Sequence, residues 1–104
     1  MKKVIKGKIY DTEKAKLIGT YDTPNLGKSD FHYFEAGLYV TPKGNYFVAG
    51  EGHALSPFAS HNAGSSSWGW DVIPKTRQEA LEWAEWYLDE EKVLSEFGDM
   101  LDEA

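Results

Sequence analysis

The chain contains no cysteine and only one arginine, and each shortage limits what the protein can do. Without cysteine there is no disulfide and no thiolate ligand for a metal. The single arginine, Arg77, leaves little capacity for hydrogen bonds to base edges, so we expect no direct sequence-specific DNA binding. No apolar run approaches the roughly 20 residues of a membrane span, and no apolar stretch follows the lysine-rich start as in a signal peptide. We therefore expect a cytoplasmic protein with no membrane partner.

The composition that remains is typical of one small folded domain. The chain has 104 residues, of which 41% are hydrophobic and 14% aromatic. Two domains would each have only about 50 residues, which is close to the lower limit for an independent core. The sequence therefore predicts a single domain over residues 1–104.

Charge is distributed unevenly along the chain. The net charge is −6, but residues 1–30 carry seven lysines against four acidic residues, whereas residues 61–104 carry three basic residues against eleven acidic ones. A surface rich in carboxylates suits a basic partner, such as a groove that normally holds nucleic acid. The alternative is an ordinary solvated helix exterior, since such exteriors are often acidic.

The N-terminal segment is predicted to be a strand followed by a short helix. In VIKGKIY, Ile5, Gly7 and Ile9 alternate with Lys6 and Lys8, and this alternation is typical of a half-buried strand. Asp11 or Thr12 then supplies a helix cap, and Gly19 supplies a C-terminal stop. The segment TYDTPNLGKSD that follows is rich in turn residues and is predicted to be an exposed loop.

The middle of the chain carries the strongest strand signal. FHYFEAGLYV (residues 31–40) and NYFVAG (residues 45–50) flank TPKG, a turn sequence, and predict an antiparallel hairpin with both faces at least partly covered. Residues 51–70 are rich in glycine and serine and are predicted to be a long functional or mobile loop. WDVIP then predicts a short strand that Pro74 ends.

The C-terminal third is predicted to be helical. Thr76 and Glu79 form the capping-box pattern T-x-x-E, and apolar residues follow at helical spacing, which predicts a helix over residues 77–89. A further short helix is expected, interrupted at Gly98. The fold class is thus α+β, with a small, mainly antiparallel sheet packed against a C-terminal amphipathic helix and a short N-terminal helix alongside. The expected buried residues are Ile5, Ile9, Phe34, Leu38, Phe47, Trp83, Ala84 and Tyr87.

No catalytic, metal or cofactor site is predicted. The three histidines match no zinc-ligand spacing, and the serines lie in no nucleophile motif. The paired glycines of AGEGHALS match neither a P-loop nor a dinucleotide fingerprint. The predicted function is therefore not enzymatic.

The candidate partner-binding residues lie on and just after the predicted helix. They are acidic except for one tryptophan, which is expected to be exposed among them as an interface anchor. The candidate residues are Glu79, Glu82, Glu85, Trp86, Asp89, Glu90 and Glu91.

Three segments together resemble a family of small proteins from mobile elements, phages and plasmids of Firmicutes. They are GKIYDTEKAKLIGTYD, DFHYFEAGLYVTPKGNYFVAGEGHALSPFA and VIPKTRQEALEWAEWYL, and they span about residues 6–88. The family pattern runs K-x-Y-D-T-x-x-A-K, then an aromatic hairpin ending in Y-F-x-x-G-E-G-G-A-L-S, then I-P-x-x-x-x-E-A-x-x-W-A. One departure is His53, where the family usually has a second glycine.

The resemblance implies an anti-CRISPR protein, because some members of this family inhibit type II-A CRISPR effector nucleases. The implied partner is such a nuclease or its guide RNA complex in the cytoplasm of the host bacterium, and a homodimer stays open. Docking of the acidic helix in the cationic channel would oppose guide RNA or DNA loading. Two alternatives remain: a regulatory or toxin-neutralising module of a mobile element that binds another basic protein, and an enzyme that acts on guide RNA.

Overall fold

The computed structural model describes all 104 residues, and the architecture is α+β with antiparallel sheets and two helices. All eight strands precede the helices in the chain, and a 3-10 turn over Gly98–Met100 follows the second helix. The strands are β1 (Lys2–Ile5), β2 (Lys8–Asp11), β3 (Lys16–Asp22), β4 (Phe34–Val40), β5 (Tyr46–Gly52), β6 (Ser60–Asn62), β7 (Ser65–Ser67) and β8 (Gly69–Lys75). The helices are α1 (Arg77–Tyr87) and α2 (Glu90–Phe97). None of the helices is long and apolar enough to cross a membrane.

The central sheet has four antiparallel strands in the order β3-β4-β5-β8. The predicted hairpin over β4 and β5 is confirmed, and its turn places Gly44 at a φ of 86°, which glycine adopts without strain. Leu38, Val48 and Ile73 lie directly opposite one another across three strands. The side chains of these three residues, and of every second residue along each strand from them, therefore lie on one face of the sheet.

The two helices cover that face. Ala36, Leu38 and Val48 from the sheet join Ala84 from α1 and Phe97 from α2 in the larger of two buried clusters. Leu38, Ala84 and Phe97 are fully buried, so both helices pack closely on the sheet. The prediction that a C-terminal helix packs on an antiparallel sheet is confirmed.

The opposite face is covered over only part of its length, by the separate hairpin of β1 and β2. Tyr10 from β2 meets Phe47 edge-on at 5.4 Å between ring centroids, and Phe47 stacks on Tyr39 at 5.2 Å. Ala49 and Val72 complete this second buried cluster. The sheet is thus buried on both faces near Phe47, and its far end on this face carries no covering element.

The predicted N-terminal helix is wrong. The predicted single strand is a hairpin whose turn residues, Lys6 and Gly7, both have positive φ angles, of 49° and 78°. Asp11 does accept the amide of Glu13, as a cap would, but only one turn forms. The chain then enters β3, which pairs with β4 and supplies more hydrogen bonds than an isolated short helix can.

The two-residue turn also places Ile9 on the outside, contrary to the prediction that it is buried. Ile9 lies directly opposite Val4, and its side chain is 63% exposed. Among the other expected core residues, Leu38, Phe47 and Ala84 are buried. The remaining four are half-buried: Ile5, Phe34, Trp83 and Tyr87.

The segment from residue 51 to residue 70 is more regular than predicted. It contains a small hairpin of β6 and β7, with Ala63 and Gly64 at positive φ in its turn, and all six strand residues are exposed. The next strand, β8, continues through Pro74 to Lys75 rather than ending there. Pro74 is tolerated because β8 is an edge strand, so no neighbouring strand needs its missing N–H.

The other edge strand, β3, is irregular and lies beside the helices. A register shift between Leu17 and Gly19 marks a bulge at this edge. A side chain at Gly19 would approach the methyl groups of Leu88 to 2.9 Å, so glycine lets the end of α1 come close to the strand. Gly19 is therefore a packing residue and not the helix stop that the sequence suggested.

Candidate partner-binding site

The capping box predicted for α1 is present and fixes the first of the candidate residues. The amide of Glu79 donates to the Thr76 hydroxyl (3.1 Å), and the Glu79 carboxylate accepts from the Thr76 amide (2.8 Å). These hydrogen bonds, above all the backbone one, hold the pKa of Glu79 below its ordinary value. Glu79 is thus committed to the helix and is less free than its neighbours to bind a partner.

The remaining carboxylates of α1 lie on its solvent side, around the exposed tryptophan. Glu82 is four residues before Trp86 and three before Glu85, so the three side chains are neighbours on one helix face. Trp86 is 81% exposed, more than any other large apolar side chain in the chain. A tryptophan exposed to this degree among polar residues is a candidate interface anchor.

The turn between the helices extends this acidic surface. Helix α1 ends at Tyr87, two residues earlier than predicted, because Leu88 is already extended. Asp89 then caps α2 by accepting the amide of Lys92 (3.1 Å), and Glu90 and Glu91 fill the first turn. Negative side chains at a helix N-terminus are favoured by the helix dipole, which gives these residues a structural role as well.

The seven candidate residues lie on α1, in the turn after it and in the first turn of α2, and we name them together the helical acidic surface: Glu79, Glu82, Glu85, Trp86, Asp89, Glu90 and Glu91. All seven are exposed, and none of the six carboxylates forms an ion pair. Two other acidic residues of the C-terminal helical region are paired. Glu96 binds Lys16 (3.1 Å), and Asp99 makes a two-pronged contact with Arg77.

A shallow apolar cleft of about 290 Å³ adjoins the helical acidic surface. Glu85 and Glu90 border it, and its floor is formed by Leu88, Val93, Leu94 and Leu101. The cleft could not be located from the sequence, because it depends on how α2 turns back against α1. The one related sequence signal is the helical spacing of Leu94 and Leu101, which also suits a fully buried face. A partner with cationic and apolar groups side by side would match this rim and floor.

Each of the three histidines contacts a different neighbour. His32 lies beside Asp30 (3.6 Å), His53 packs against Phe31, and His61 contacts Ser66. No group of three histidine or carboxylate side chains is arranged to hold a metal ion. The candidate site of this chain is therefore the helical acidic surface with its one exposed aromatic side chain, Trp86.

The three other tryptophans differ in environment. Trp83 is half-buried against Tyr87 (4.8 Å), whereas Trp68 and Trp70 are exposed on the β8 edge.

Comparison of the chain with models of protein families, with curated proteins and with solved structures gave no match.

Proposed function

We propose that this protein is a stoichiometric inhibitor that binds a type II-A CRISPR effector nuclease through the helical acidic surface and opposes guide RNA or DNA loading. The observation that carries the proposal is that six exposed carboxylates, none of them in an ion pair, lie with one exposed tryptophan on α1, in the turn after it and at the start of α2. Carboxylates that are free of internal cations keep their full attraction for an external basic channel. The family resemblance supplies the choice of nuclease.

The proposed contact combines attraction with a short-range anchor. Long-range attraction between the acidic surface and a cationic channel would raise the association rate, and this effect weakens with salt. Trp86 would then bury its indole ring and slow dissociation, as aromatic anchors at the centre of interfaces do. The protein needs no catalytic group for this mode of action.

The test is cleavage of target DNA by a purified type II-A nuclease with its guide, over increasing amounts of this protein. We expect inhibition near a one-to-one ratio and a loss of potency of at least about tenfold in Glu82→Lys/Glu85→Lys. The matched control, Glu13→Lys/Glu103→Lys, makes the same change in net charge at two exposed acidic residues elsewhere. Equal potency of both double variants would refute the role of the helical acidic surface.

The same material separates the alternatives. If the nuclease is neither bound nor inhibited, but another basic host protein is captured by the wild type and not by Glu82→Lys/Glu85→Lys, the protein is a regulatory or toxin-neutralising module. If labelled guide RNA is cut by the pure protein, it is an enzyme. Binding at fixed stoichiometry with intact RNA is the result expected for the proposed inhibitor.

A further inference from the structure

A second surface of the molecule carries unpaired charge in an arrangement that sheets normally avoid. Asp22, Glu35 and Glu51 lie directly opposite one another on β3, β4 and β5, and Trp70 continues the row on β8. All four share the sheet face that bears Tyr39 and Phe47, at the end beyond the β1–β2 hairpin. We propose that this open end of the sheet is a second docking surface, which binds an arginine-bearing segment of a partner protein.

The three carboxylates have no cation of their own. None of them forms an ion pair, although like charges directly opposite each other destabilise a sheet. Met1 also lines the cleft of about 360 Å³ beside them, but its ammonium group donates a hydrogen bond to the hydroxyl of Thr12 (2.9 Å). The negative charge of this row is therefore left for a group from outside the chain.

Aromatic side chains extend the acidic row into a larger exposed surface. Trp68 stacks on the ring of Tyr33 at 6.0 Å, and His53 lies between Trp68 (5.9 Å) and Phe31 (4.9 Å). Trp70 is 53% exposed, and Phe31 and Trp68 are exposed as well. We name Asp22, Glu35, Glu51, Phe31, Trp68 and Trp70 together the sheet-end surface.

Hydrogen bonding holds one of the carboxylates in place before any partner binds. The Tyr33 hydroxyl donates to Glu35 Oε2 (2.7 Å), and this bond, with partial burial and the nearby carboxylates, raises the pKa of Tyr33 to about 12. The phenol therefore stays a donor at neutral pH, and Glu35 keeps its second oxygen available. Such preorganisation lowers the entropy lost on binding.

Arginine fits this surface better than other cationic groups. A guanidinium group can donate two parallel hydrogen bonds from one edge to a carboxylate and stack its face on an indole ring. The sheet-end surface offers both, because Glu51 and Trp70 are direct cross-strand neighbours. Lysine could form the ion pair with a carboxylate but could not stack a planar group on the indole ring. A neutral peptide could contact only the aromatic rings.

This inference does not depend on the proposed function. The sheet-end surface lies on the opposite face of the central sheet from α1, so the helical acidic surface and the sheet-end surface can be altered separately. The closing experiment uses no nuclease. Its failure would leave the inhibition test unaffected, and failure of inhibition would leave the sheet-end surface to be judged on its own result.

The test is titration of the ¹⁵N-labelled protein with the peptide Gly-Arg-Gly-Arg-Gly, blocked at both ends, and with the matching lysine and glutamine peptides. We expect the indole N–H signals of Trp68 and Trp70 to shift with the arginine peptide, and the lysine peptide to bind about threefold more weakly. The glutamine peptide should cause no comparable shift. Shifts confined to α1 would overturn the proposal.

Variants of equal charge change provide the decisive comparison. Glu35→Gln/Glu51→Gln should weaken binding of the arginine peptide at least about fivefold, the loss expected from two partly exposed ion pairs. Glu13→Gln/Glu103→Gln, at two exposed acidic residues outside both surfaces, should change binding of the peptide less than about twofold, because distant charges are screened. Equal losses in the two variants would refute a specific site. If the first variant does not fold, Glu51→Gln alone, which leaves the Tyr33–Glu35 hydrogen bond intact, decides the question.

Discussion

Replacing Phe97 with alanine tests whether α2 belongs to the cooperative core. Phe97 is 0% exposed, its ring lies 5.5 Å from that of Tyr46, and the Arg77 guanidinium lies 6.0 Å above it. Truncation of a fully buried phenylalanine costs about 3–5 kcal/mol, from lost burial and from the cavity left behind. Domains of this size are stable by about 5–15 kcal/mol, so Phe97→Ala should lose a large part of the total.

Urea unfolding, followed by tryptophan fluorescence and by far-UV circular dichroism, measures this loss. The midpoint should fall with little change in slope, and the two probes should agree. The control is Leu94→Ala on the same helix, where the side chain is 60% exposed and the expected cost is within about 1 kcal/mol. A cost below about 1 kcal/mol for Phe97→Ala would refute the docking of α2 on the sheet.

Three further predictions address single contacts. Thr76→Ala should destabilise the protein by about 1 kcal/mol through loss of the α1 cap, as measured by urea unfolding, and Thr76→Ser should restore most of it. Gly69→Ala should cost about 1–3 kcal/mol in the same assay, because its new carbon would lie 2.5 Å from the Phe58 carbonyl oxygen and from the Ser60 amide, and an unchanged midpoint would contradict this packing. The pKa of Tyr33 is raised to about 12 by its hydrogen bond to a glutamate, so the folded state holds this proton more tightly than the unfolded state. Stability should therefore fall between about pH 10 and pH 12, and should fall less in Tyr33→Phe, with absorbance at high pH showing one fewer late-titrating phenol.

Helix α1 and the hairpin of β4 and β5 were predictable because their signals are local. The T-x-x-E pattern and the helical spacing of apolar residues set the start and the inner face of α1 without reference to the rest of the chain. The hairpin of β4 and β5 was equally clear, since its turn residues and its aromatic strands agree. The acidic residues of α1 were expected on its outer face, and the structure leaves them exposed there.

The N-terminal third was not predictable because its structure depends on distant partners. Asp11 does start a turn, but pairing with β4 decides that the chain continues as a strand. A turn at Lys6 and Gly7 reverses which residues face inward, and only Gly7 is typical of such a turn. The sheet-end surface was also hidden from the sequence, since Glu35 and Glu51 become neighbours only through the register of β4 and β5.

The interruptions at both edges of the central sheet bear on how the protein behaves when concentrated. Pro74 offers no amide hydrogen from β8, and the bulge between Leu17 and Gly19 breaks the regular spacing along β3. An incoming chain therefore finds no uninterrupted row of donors and acceptors on which to extend the sheet, which disfavours fibril growth. The edges of the central sheet are therefore unsuited to pairing between identical molecules, and we expect surface substitutions, rather than changes along these edges, to control self-association.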